Sequence, residues 1–168
     1  PDVIPSFSGA AYYPSQSSQL ACEPEVDNGN VWVVNPDNDS VTIINRILNP
    51  GTFELTAEVS REIKVNYEHP TSVKKVGNRF AVTYRDDDKI LFYDAEGNAL
   101  RAVDSGHGTQ PVASVANGSF LYVALYGSGE VIKIDANSGD IESRLTVGPK
   151  PKAMALVGNR LLVTRYIS

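Results

Sequence analysis

Three acidic stretches, two histidines and a pair of lysines hold most of the side chains in this sequence that could do chemistry. Asp37 and Asp39 lie in Asn35-Pro36-Asp37-Asn38-Asp39-Ser40, Asp86, Asp87 and Asp88 are consecutive, and Glu130 closes Gly127-Ser128-Gly129-Glu130. Clustered carboxylate oxygens suit Ca²⁺, and imidazoles such as those of His69 and His107 suit Cu or Zn. The default reading is that these are solvated turn residues, because Asp and Asn favour turns for backbone reasons alone. Lys74 and Lys75 would attract an anion if one of them faces a channel; otherwise their stems pack and their heads reach water.

Several chemistries find no support. There is no G-x-S-x-G elbow, and neither histidine has an evident acid partner in sequence, so a nucleophilic triad is not indicated. There is no phosphate-binding G-x-x-x-x-G-K-[ST] loop and no dinucleotide fingerprint opening a helix. Fifteen basic against twenty acidic residues give a net charge of −5, the wrong sign for a general nucleic-acid partner. No apolar run approaches the roughly 20 residues that a membrane-spanning helix needs. The single Cys22 has no internal disulfide partner; it is either a buried thiol or a pairing site for another segment. Few Lys and many Ser, Asn and Gly fit a periplasmic or extracellular setting.

These residues are positioned by a repeat. Val31 to Asn45 (V-W-V-V-N-P-D-N-D-S-V-T-I-I-N) returns as Phe80 to Asp94, again as Leu121 to Asp135, and begins once more at Leu161, with starts 49, 41 and 40 residues apart. Pro70, Pro111 and Pro151 keep the same spacing, and each is followed two residues later by a small residue, Ser72, Ala113 or Ala153. Gly77-Asn78, Asn117-Gly118 and Gly158-Asn159 supply the positive φ of tight hairpins. Each repeat therefore predicts four short strands, with no helical stripe in competition. The central runs are apolar on both faces, as in a blade packed between two others.

Self-similarity at this period predicts an all-β propeller of four-stranded antiparallel blades. Residues 1–27 form an N-terminal extension, with Ala11-Tyr12-Tyr13-Pro14 and Ser15 to Leu20 available as a first inner strand. The blades span about 28–66, 70–105 and 111–147, with a partial fourth at 151–168. That makes about 3.5 blades and about fourteen strands, incomplete or completed by another chain. The first repeat carries a surplus between Asn45 and Arg61, read as an extended hairpin or a long outer loop. Such a blade puts the three acidic turns, His69 and His107 on one rim. Trp32, Tyr84, Tyr93 and Tyr122 read as blade-packing aromatics.

The pairing of W-V-V-N with V-T-I-I-N (Trp32 to Asn45), repeated in Y-V-A-L with V-I-K-I-D (Tyr122 to Asp135), resembles the YVTN-type β-propeller repeat. A looser copy is A-V-T-Y with I-L-F-Y-D. The resemblance implies surface-layer proteins, binding scaffolds, or propeller parts of redox proteins. Some redox propellers use rim histidines as metal ligands, and His69 stands in the equivalent place, while its counterparts Gln110 and Lys150 cannot serve. No C-x-x-C-H haem motif is present, so no cofactor is expected within this segment unless Ca²⁺ or a transition metal binds the rim. The expected function is a non-enzymatic module for protein binding or scaffolding, with other chains or further domains of the same protein as partners. The alternatives are the propeller portion of a periplasmic redox or electron-transfer protein, whose haem or copper lies elsewhere, and a structural surface-layer protein.

Overall fold

The computed structural model describes residues 15–16, 19–23 and 29–166. Ala11 to Pro14, assigned above to a candidate inner strand, lie outside the described residues. Fifteen strands follow in order: β1 (Ser15–Gln16), β2 (Leu20–Cys22), β3 (Asn30–Asn35), β4 (Ser40–Leu48), β5 (Leu55–Lys64), β6 (Pro70–Val76), β7 (Arg79–Tyr84) and β8 (Lys89–Tyr93), then β9 (Ala99–Asp104), β10 (Pro111–Asn117), β11 (Phe120–Leu125), β12 (Glu130–Asp135), β13 (Ile141–Thr146), β14 (Pro151–Val157) and β15 (Arg160–Arg165). One 3₁₀ turn, Pro36–Asn38, interrupts them.

Each repeat is one antiparallel sheet in chain order: β2-β3-β4-β5, β6-β7-β8-β9 and β10-β11-β12-β13. The fourth sheet is β1-β14-β15, so it holds two repeat strands and a short N-terminal strand against the inner edge of β14. The fourteen repeat strands match the sequence count; β1 is the addition. The surplus in the first repeat is an extended hairpin, since β4 and β5 stay paired out to Leu48 and Leu55.

Period-2 alternation explains how the blades stack. On β7, Phe80, Val82 and Tyr84 join Trp32, Val34, Val41 and Ile43 of the first blade in one buried cluster. Ala81 between them joins Ile90, Phe92, Leu121, Val123 and Ile132 in the next. Ala113, Val115, Ala124 and Met154 form the third cluster, between the third and fourth sheets. The second and third blades are thus apolar on both faces because each serves two interfaces. Trp32 stacks on Phe80 with ring centroids 4.3 Å apart and planes 10° from parallel. The hydroxyls of Tyr84 and Tyr93 meet at 2.7 Å, so their polar ends are satisfied inside the core. Tyr122, half-buried, packs against the third cluster.

Cys22 corrects one expectation. It is exposed, not a buried thiol, because the alternation on β2 turns Ala21 inward and Leu20 and Cys22 outward.

Candidate functional site

The inner strands begin at one rim, and a local backbone device is repeated there. His69, Gln110 and Lys150 precede Pro70, Pro111 and Pro151, and all three have positive φ, at 57°, 54° and 53°. A non-glycine residue in that region is uncommon, so the surroundings must hold it. The carbonyl of each accepts a backbone N–H from the end of the second strand of its own blade: Arg85 at 3.1 Å, Tyr126 at 2.9 Å and Tyr166 at 2.9 Å. On the other side, the N–H of His69 donates to Asp39 Oδ1 at 2.8 Å, and the N–H of Gln110 donates to Asp88 Oδ1 at 2.7 Å. β6 and β10 are therefore each clamped to the preceding blade.

This geometry gives several of the rim acids definite tasks. Asp88 also accepts from Gly108 N–H at 2.6 Å and from Thr109 Oγ1 at 3.3 Å, and Asp87 accepts from Glu68 N–H at 2.5 Å. Asp39 and Asp88 themselves have positive φ, at 49° and 57°, which Asp tolerates better than most side chains. The equivalent residue in the third blade is Gly129, at φ 74°. Asp86 lies 3.6 Å from His69 Nδ1 and 3.9 Å from Arg85 Nε. Glu130 pairs with Arg144 at 3.5 Å. Asp37 is exposed in the 3₁₀ turn. His107 is exposed between two positive-φ glycines. Among the described residues, no three His, Cys, Asp or Glu side chains converge as metal ligands would.

The two lysines of β6 differ. The Lys75 ammonium pairs with Glu23 at 3.4 Å and lies 5.9 Å from the Phe80 ring centroid, joining the first two blades. Lys74 is half-buried, and burial pushes its pKa down. Neither lines the cleft between the inner strands.

That cleft, of about 550 Å³, opens where the inner strands of all four sheets start. Its walls include Ser72, Ala113 and Ala153, the small residues that follow each proline. The ladder slips between proline and small residue in all three repeats, so the intervening Thr71, Val112 and Lys152 are bulged and also line the cleft. Arg85, Tyr126, Gln19 and Thr164 complete it. The Arg85 guanidinium lies 5.6 Å from the Tyr126 ring centroid, and its Nε, shielded from solvent, has no hydrogen-bond partner among the described residues. Thr71 Oγ1 donates to the Pro111 carbonyl at 3.1 Å, and Ser72 Oγ meets Ser114 Oγ at 2.8 Å, so the inner strands are also tied together directly. Sequence reasoning singled out none of Arg85, Lys152 and Tyr126. The signal was the repeat register: Arg85, Tyr126 and Tyr166 stand 41 and 40 residues apart.

Comparison with solved structures identifies the architecture. Virginiamycin B lyase from Staphylococcus aureus superposes with a TM-score of 0.61 at 12% identity, over 89% of this chain and 55% of that one. This chain is an incomplete β-propeller. Hydrazine synthase from Kuenenia stuttgartiensis gives 0.55 at 16% identity, over 75% of this chain and 38% of its own. AztD from Citrobacter koseri gives 0.51 at 16% identity, over 87% and 53%. The chain thus spans about half the length of the propellers it matches, or less. No protein-family model and no curated protein matches it. At these identities the likeness carries the fold and not the chemistry.

Proposed function

We propose that this chain is a non-enzymatic propeller module that binds or scaffolds other protein, as part of a larger protein or assembly. The observation that carries this is the fourth sheet. On the second and third blades the outer edges of β7 and β11 are taken by β8 and β12, whereas no described strand pairs with the outer edge of β15. Leu162 on that strand is 53% exposed, and Val157 nearby is 52% exposed. An open edge carrying apolar side chains recruits another strand, and proteins otherwise blunt or cover it. Strands of the same repeat type, from the same polypeptide or a second one, are the fitting occupant. The clamped rim loops then present a rigid face to a partner, which lowers the ordering cost of binding.

The test is the mass of the natural protein in solution, with its visible spectrum taken on the same sample. A polypeptide of roughly 30 kDa or more, enough for further blades of about 40 residues each, supports the proposal. So does a stable complex of 18.2 kDa chains with one another or with a partner. A monodisperse 18.2 kDa monomer that captures nothing sinks it. A haem or copper band would move the reading to a redox assembly.

A further inference from the structure

We propose that the cleft at the start of the inner strands binds a small ligand through an oxyanion group, a carboxylate or a phosphate. The first ground is charge. Ten residues line the cleft; two of them, Arg85 and Lys152, are cations and none is an acid, in a chain whose net charge is −5. Of the three neighbouring rim carboxylates, Asp88 holds the N–H groups of Gly108 and Gln110, Asp87 holds that of Glu68, and Asp86 sits between His69 and Arg85.

The second ground is Arg85. Its Nε is shielded from water and makes no hydrogen bond among the described residues. Its nearest acid, Asp86, is 3.9 Å away and is shared with His69. Shielded donors are nearly always satisfied in native proteins, so Nε gains a partner when the side chain turns toward a ligand in the cleft. The guanidinium lies 5.6 Å from the Tyr126 ring centroid, and a guanidinium is the group suited to two oxygens of one oxyanion. Lys152 comes from a different blade and brings an exposed ammonium, 5.6 Å from the Tyr166 ring centroid.

The third ground is shape. Ser72, Ala113 and Ala153 keep the space open, and about 550 Å³ is the size of a small-molecule site. Val112 and Tyr126 offer apolar surface beside the charges, so the ligand has an anionic head and an apolar or aromatic body. The cleft touches β15 only through Thr164, and anion binding is read separately from the mass and association of the chain, so the two proposals fail distinguishably.

Inorganic phosphate and benzoate are the probes, titrated into the intact natural protein and followed by amide NMR at Val112, Ala113 and Lys152. Saturable shifts at these amides with either probe support the site; benzoate alone assigns a carboxylate ligand, phosphate alone a phosphate ligand. Arg85→Gln and Lys152→Met are each expected to weaken binding about tenfold or more, the usual effect of losing one charge-assisted contact. Arg160→Gln, an exposed cation outside the cleft, leaves binding unchanged. Lys152 is exposed, so its variant keeps the fold even if Arg85→Gln does not. Absence of saturable shifts with both probes overturns the proposal, and so does an equal loss in Arg160→Gln.

Discussion

Replacing Asp88 by alanine tests whether the rim acids are clamps between blades. The carboxylate accepts two short backbone bonds, from Gly108 at 2.6 Å and Gln110 at 2.7 Å, and a longer one from Thr109 Oγ1 at 3.3 Å. A hydrogen bond to a charged acceptor is worth about 1.5–3 kcal/mol, and bonds sharing one carboxylate do not add fully. Asp88 is only partly buried, which lowers the figure further, so the expected loss is about 2–4 kcal/mol. At this chain length that corresponds to a fall in Tm of about 5–15 °C. Asp39→Ala removes a single bond, to His69 N–H at 2.8 Å, and should cost about half as much. Asp88→Asn keeps an acceptor oxygen and tolerates the positive φ, so it falls between wild type and Asp88→Ala. Urea denaturation measures the totals, and hydrogen exchange at Gly108 and Gln110 reports the local opening. A loss below about 1 kcal/mol for Asp88→Ala would refute the clamp, as would equal losses at the two positions.

Other consequences follow from the same contacts. Gly129→Asp would restore the residue type of the other two repeats, yet a Cβ there would sit 2.8 Å from the Gly148 carbonyl oxygen; a loss of about 2–4 kcal/mol by thermal denaturation is expected, against none if the repeat register alone governed the site. Tyr93→Phe leaves the buried Tyr84 hydroxyl without its partner and should cost about 1–3 kcal/mol, while the Tyr84→Phe, Tyr93→Phe double variant costs less than the sum of the two single ones. Burial pushes the Tyr84 phenol up to about 12 and Tyr93 higher still, so ultraviolet titration should find two tyrosines that ionise only as the protein unfolds in alkali. The hydrogen bond from Lys89 holds Asp104 below its ordinary 3.8. Since the folded value is the lower one, this contribution is present above pH 3.8 and is lost as pH falls through the folded value; Asp104→Asn should flatten the acid limb of a stability-against-pH curve, and an unchanged limb counts against the pair.

The architecture was legible because the repeat writes its own punctuation. Proline at the start of each inner strand, a small residue two places later and a Gly/Asn hairpin each survive in three copies, and each has a single steric reason. The both-face apolar runs of β7 and β11 located the middle blades, because only a sheet with two neighbours can hide Ala81 and Phe80 at once. The side of Cys22 was not legible, since register on the short β2 is set by Ala21 meeting Trp32 across the sheet. Nor were the partners of Lys75, because Glu23 lies 52 residues away and reaches it only through the packing of two blades.

The rim shows why an address can be read from sequence when a task cannot. Repeat register places Asp39, Asp88 and Gly129 at one position, but the carboxylate is useful only where the next inner strand offers free N–H groups within reach. That depends on the positive φ ahead of each proline, a conformation no residue type at 69, 110 or 150 announces. Once Asp39 and Asp88 are engaged as clamps, the charge pattern of the rim changes meaning. Three of the acids that the sequence places on the rim, Asp39, Asp87 and Asp88, are taken up by backbone N–H groups, outside a cleft whose charged lining residues are Arg85 and Lys152. The proposed anion site at this rim rests on Arg85 and Lys152, the two cations that line the cleft.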